Sequence, residues 1–168
     1  MDRSEYMEQN WDIAREDGGG VTQSAFKYET SVKCSLLPGS LSELLRVTIE
    51  AMEMVEICSY MRLDLGASWC RPEAHGWKLC AQGALMVFRI GASPNESLSP
   101  DDFPECKDRM KAAELLTMGQ VHAAYALLNG PFYDTRKLPD DVRITPHPSH
   151  EFWSDLKRLL KLLEALEK

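Results

Sequence analysis

The sequence predicts a mainly α protein: a single compact domain of about five helices with a minor two- or three-stranded β element near the N-terminus. Three observations carry that expectation. Apolar residues recur at spacings of three and four through most of the chain after Ser40. Cap residues precede those periodic stretches. Alternation with period two dominates one segment only, Phe26 to Cys34.

Residues 1–20 read as a flexible or weakly helical arm ending in Gly18-Gly19-Gly20, and residues 21–168 as the domain. Phe26, Tyr28, Thr30, Val32 and Cys34 alternate with Lys27, Glu29, Ser31 and Lys33, as a half-buried strand does. Its partners are sought in Tyr133 to Arg136 and Val142 to Thr145. Pro38-Gly39 ends this segment. Ser40-Leu41-Ser42-Glu43 then has the spacing of a capping box, so a helix is expected from there to about Arg62. Glu50, Glu53 and Glu56 line a solvated face of it. Gly66, Pro72 and Gly76 punctuate a loop carrying Trp69, Cys70 and His75, and a second helix is expected over Trp77 to Ile90.

Ser99-Pro100-Asp101-Asp102 supplies an N-cap, a proline at the first helical position and two carboxylates for the positive end of a helix dipole. Pro104 limits that first turn, which places the main helix at about Glu105 to Met118. Gly119 separates it from a helix over Gln120 to Leu128. After the proline-broken stretch Thr145-Pro146-His147-Pro148, Ser149 caps a last helix from His150 to Glu167. There Trp153, Leu156, Leu160 and Leu163 form a seam, and Phe152, Leu159, Leu162 and Leu166 widen the apolar surface. The expected core is Leu44, Met52, Val55, Trp77, Leu79, Ala84, Val87, Leu115, Leu116, Ala124, Leu127, Leu156, Leu160 and Leu163.

Composition narrows the function classes. At 168 residues, 44% hydrophobic and 27% charged, the chain matches a folded globular domain rather than a disordered or fibrous one. A formal charge of −7 opposes binding to a phosphate backbone, so nucleic acid is not an expected partner. No apolar run reaches the ~18 residues of a membrane span and no secretory leader is evident, so a cytoplasmic protein of the host cell is expected. Cys34, Cys58, Cys70, Cys80 and Cys106 are an odd set without paired spacing, expected as buried thiols in a reducing compartment.

The segment Trp69 to Phe88 concentrates the unusual chemistry. A metal site would take Cys70, His75 and Cys80, with His122, Cys58 or Cys106 as the fourth ligand. Ligands five apart with Pro72 between them depart from the two-to-four spacing of a zinc knuckle. A thiolate site would use Cys80 or Cys70 beside His75, yet no orienting Asn or Asp and no oxyanion donor can be placed. Cys80, Gly83, Ala84 and Val87 recur at three and four and are explained by a crossing helix. His147-Pro148-Ser149-His150-Glu151 reads as a helix entry, and His122 as a surface or half-buried polar residue. Phosphate-loop, dinucleotide, nucleophile-elbow and zinc-protease motifs are absent from the sequence. No catalytic residue, metal or cofactor is therefore expected.

From Ser40 to Leu128, a capped helix, a Trp-bearing loop, Leu-Cys-Ala-Gln-Gly-Ala-Leu-Met and a second Ala- and Leu-rich helix follow one another. In this the chain resembles small helical proteins encoded by bacteriophages and actinobacterial prophages, with a Trp loop followed by a Cys-x-x-Gly-Ala helix. The resemblance covers about half the chain and carries no catalytic residue over. It implies an accessory viral protein acting on host machinery. The resulting expectation is a non-enzymatic protein-binding inhibitor or adaptor of a host protein, a defence protein being one candidate, with Trp153, Leu156, Leu160 and Leu163 as the contact and a homo-oligomer through the last helix as a further option. The competing expectation is a small metal-binding enzyme or thiol sensor built on Cys70, His75 and Cys80.

Overall fold

A computed structural model describes residues 37–94, 99–130 and 138–167. Among them are five α-helices and one three-stranded sheet, so the protein is mainly α with a minor β element. The expected strand Phe26 to Cys34, its candidate partner Tyr133 to Arg136 and the arm at 1–20 lie outside the described residues.

Helix α1 spans Leu41–Ile57 and is capped by Ser40, whose hydroxyl accepts from Glu43 N–H at 3.4 Å. Its buried face carries Leu44, Leu45, Thr48, Met52 and Val55, while Glu50, Glu53 and Glu56 are exposed as expected. The helix stops five residues short of Arg62. Cys58 turns to extended backbone (ψ 127°), and Met61–Leu63 forms strand β1, with Met61 and Leu63 buried and Arg62 exposed. A three-residue alternation is too short to register against the helical period preceding it.

The expected loop after Gly66 instead forms a hairpin. Strand β2 (Cys70–Glu73) pairs antiparallel with β3 (Gly76–Leu79), and β3 pairs parallel with β1, giving the order β1-β3-β2. Pro72 is tolerated because β2 is an edge strand, where its missing N–H breaks no ladder on the outer side. The second helix accordingly begins later than Trp77: α2 spans Ala81–Leu85 and runs on as a π-helical turn, Met86–Ile90, ended by Gly91 in the left-handed region.

Ser99 and Asp102 form a reciprocal cap over a 3-10 turn, Pro100–Asp102. Helices α3 (Lys107–Thr117) and α4 (Val121–Asn129) flank Gly119, within two residues of the expected bounds. Helix α5 spans His150–Leu166, and Ser149 accepts from Phe152 N–H. Val142 to Thr145, the other candidate partner, forms no strand among the described residues; Val142 N–H donates to Gly119 C=O at 2.9 Å instead.

Helix α1 packs against α2, α3 and α5, and α3 packs on α2 and α4. Ten of the fourteen expected core residues are buried; Trp77, Leu115, Leu127 and Leu160 lie half-buried against the core. One expectation about packing is corrected. The Cβ of an alanine at Gly83 would lie 2.1 Å from Trp69 C=O, so the small residue there admits the backbone of the Trp69 turn rather than a crossing helix. The thiol expectation is corrected too: Cys58, Cys70 and Cys80 are free, but Cys106 is disulfide-bonded.

Candidate functional site

An open groove of about 820 Å³ lies among the described residues. Five stretches of the chain build it: the last turn of α1, the end of β1 and its following turn, the start of α2, the last turn of α3, and the proline-rich segment before α5. Each is held by an identifiable contact. Cys80, the N-cap of α2, donates its backbone N–H to Trp69 C=O at 2.9 Å, and Trp69 adopts φ +58°, unusual for a bulky residue. The Trp69 turn thereby seats the helix start beside β1. Gly119 (φ +77°) ends α3 and lets Val142 approach so closely that any Cβ would meet Val142 C=O. The following wall, Ile144 to Pro148, is tied to α5 where Asp155 accepts from Thr145 N–H at 3.1 Å and from its hydroxyl at 3.3 Å.

The lining is mixed. Leu63, Leu65, Ala81, Ile144, Pro146 and Pro148 give apolar surface, and Met118 stands at its edge with 47% of its surface exposed. Glu56, Asp64 and Glu114 contribute carboxylates. Glu114 accepts from the buried Gln82 amide at 2.7 Å and from Lys111 at 3.0 Å, which satisfies a polar side chain that would otherwise be costly to bury. Arg62, which also lines the groove, donates to Glu73 at 3.1 and 3.3 Å and lies 4.0 Å from Asp64.

The three residues of the metal or thiol expectation do not meet. Cys80 lines the large groove, whereas His75 occupies the β2–β3 turn and lines a smaller hollow with Arg62 and Glu73. Burial pushes the Cys70 thiol up to about 12, with neighbouring Cys80 adding to the shift. Cys80 is raised for the same first reason. Backbone N–H groups of Gly83, Gln82 and Trp69 favour its thiolate, but desolvation outweighs them. A thiol held protonated is a poor nucleophile and a poor metal ligand. No group of three His, Cys, Asp or Glu is placed to hold an ion among the described residues.

Of the expected contact residues on α5, Leu156 and Leu163 are buried in the chain's own core. Trp153 and Leu160 are half-buried at its flank, Trp153 edge-on to Phe152 with centroids 5.2 Å apart. The helix turns Phe152, Leu156, Leu159 and Leu163 inward and leaves Leu162 and Leu166 exposed on the other flank. The groove residues Glu114, Met118 and Pro146 carried no sequence signal, since no period links stretches brought together only by folding.

Fold and site together define a mainly helical protein with an open groove of mixed apolar and acidic lining. Compared with known proteins, the chain matches no family model, no curated protein and no solved structure. Among the described residues no helix is long and apolar enough to cross a membrane.

Proposed function

We propose that this chain is a non-enzymatic binding protein, an accessory protein of the phage type that acts as inhibitor or adaptor of a host protein, and that the groove is where it grips its partner. One observation carries the reading: an open cavity of about 820 Å³ pairs apolar walls and an exposed Met118 with carboxylates fixed at its edge. Polarisable methionines on open surfaces suit the contact of one protein with another. Polar groups around an apolar centre are the anatomy of a protein interface. The phage setting rests on the likeness of Ser40 to Leu128 and on nothing chemical in the site. Thiols whose pKa is raised by desolvation, together with the separated His75, give no support to the enzyme or thiol-sensor alternative.

Affinity capture of the intact protein from lysate of its host, beside a Met118→Glu variant, tests this. A partner held at near-equal stoichiometry by the natural chain and released by the variant is the expected result. A stoichiometric metal without a partner, or a partner indifferent to Met118→Glu, overturns it.

A further inference from the structure

We propose that the outward face of the three-stranded sheet is a docking surface for an acidic segment of a partner protein, one presenting two carboxylates about 5–7 Å apart. The register places Arg62 opposite Lys78 and Lys78 opposite Arg71, so three cations stand side by side across β1, β3 and β2. The opposite face of the same strands carries Met61, Leu63 and Leu79, all buried. Like charges directly opposite in a sheet are destabilising, and they persist here in a chain that carries an excess of seven acidic charges. The carboxylates that do lie here gather chiefly on Arg62, although Glu73 also feels the charge of Lys78. Glu73 binds the Arg62 guanidinium at two points and Asp64 lies 4.0 Å from it. Arg71 and Lys78 are left without an ion pair among the described residues.

The geometry selects the occupant. Adjacent strands stand about 4.8 Å apart, so Arg71 and Lys78 present two donors at a separation matched by carboxylates at i and i+4 of a helix, about 5–6 Å apart, or at alternate positions of a strand, about 6.7 Å. The guanidinium of Arg71 adds a planar fork suited to a carboxylate. A long polyanion such as duplex DNA would meet the same two cations but also the acidic bulk of the molecule, which repels it.

This inference rests on the protein-binding reading; Arg62 borders both the face and the groove, but Arg71 and Lys78, which carry the proposed contact, do not line the groove, so the two fail separately. The probe is a labelled peptide with glutamates four residues apart, titrated onto the intact protein at low salt, beside its lysine counterpart and a duplex DNA of similar charge. Expected are saturable binding of the glutamate peptide alone and a loss of ~10-fold or more in affinity in Arg71→Gln/Lys78→Gln. Met118→Glu should leave the affinity unchanged. Glu73→Gln, which releases Arg62, is expected to tighten binding; a face that is merely structural would lose stability in that variant with no gain in affinity. No saturable binding, equal binding by DNA, or indifference to Arg71→Gln/Lys78→Gln overturns the proposal. If the peptide fails while a host partner is captured and released by Met118→Glu, only this inference falls.

Discussion

Single positions set how closely the chain approaches itself around the groove, and two glycines show which energy term wins. In a helix alanine is favoured over glycine by about 1 kcal/mol, so propensity alone recommends Gly83→Ala within α2. The added Cβ would sit 2.1 Å from Trp69 C=O and 3.3 Å from Leu79 Cβ, and backbone cannot yield as a flexible side chain can. Gly83→Ala is therefore expected to destabilise the fold by about 1–3 kcal/mol, the scale of an overpacked core, read as a lower midpoint in urea. Gly119→Ala should cost more, because a positive φ of +77° and an approach of 1.6 Å to Val142 C=O act together. The thiols give a prediction with a sign in pH. Cys70 is held protonated, with its pKa raised to about 12 by burial first and Cys80 second. A group whose folded pKa lies above its unfolded value contributes stability that is fully present below the unfolded value, near 8.5–9 for cysteine. That contribution is lost as pH rises toward the folded one. Stability should thus fall between about pH 9 and 12, and less so in Cys70→Ser. At pH 8 alkylation of Cys70 should run about a thousandfold slower than that of an exposed thiol, since its thiolate is on the order of one part in ten thousand. Rapid, stoichiometric labelling of Cys70 at pH 8 would return the thiol reading to consideration.

At the level of elements, helix ends carry charges that serve stability in one place and oppose it in another. Glu167 at the C-cap of α5 accepts from the backbone N–H of Ser42 at 3.1 Å and from its hydroxyl, so a carboxylate sits at the positive end of α1 and pins the two helices together. Arg46–Glu164 spans the same pair of helices at 3.3 Å, but with both side chains more than two-fifths exposed. Charge-assisted bonds to a buried serine outweigh an exposed ion pair. Glu167→Gln is accordingly expected to cost about 1–2 kcal/mol, and Glu164→Gln no more than about 0.5 kcal/mol, in thermal or urea unfolding. Glu56 is the converse case. It lies in the last turn of α1, which has no basic residue, where a negative charge opposes the helix dipole, and it stands on the groove. Glu56→Gln should raise stability by about 0.3–1 kcal/mol. If the groove uses this charge, the same change weakens retention of the partner. Much of this level was legible beforehand. Caps at Ser40, Ser99 and Ser149 and the stop at Gly119 are local signals, and each stands where its chemistry requires. The sheet was not legible at 61–79, because Met61–Leu63 and Cys70–Glu73 are too short to show a period. Trp77 and Leu79, read there as helical, are fixed by pairing to strands across the hairpin and from β1.

Across the whole molecule the candidate site shows the limit of reading along a chain. Leu65, Ala81, Met118 and Pro146 share one groove although they come from four separate stretches, and none belongs to a motif. What the sequence did show was apolar girth on α5, and the structure divides that girth in two. Phe152, Leu156, Leu159 and Leu163 are spent inward, each at most 1% exposed, so the helix belongs to the core before it belongs to any interface. That decides how self-assembly through α5 should be tested. Fully burying a large apolar side chain is worth about 1.5–3 kcal/mol, so the four together supply on the order of 6–12 kcal/mol, comparable with the 5–15 kcal/mol net stability of a whole domain. Truncation before Ser149 should consequently abolish the cooperative thermal transition in calorimetry, and any change of mass in light scattering would then report exposed core rather than a lost dimer. It would also remove Asp155, the anchor of Thr145, and with it the groove wall from Ile144 to Pro148. The discriminating variant is Leu162→Glu/Leu166→Glu, which charges the exposed flank, at 42% and 46% accessibility, and spares the inward face. This variant should unfold at the same temperature as the natural chain within about 2 °C, because surface substitutions shift stability by no more than about 0.5 kcal/mol. An unchanged mass in light scattering then removes α5 as a self-assembly surface, and a halved mass establishes it.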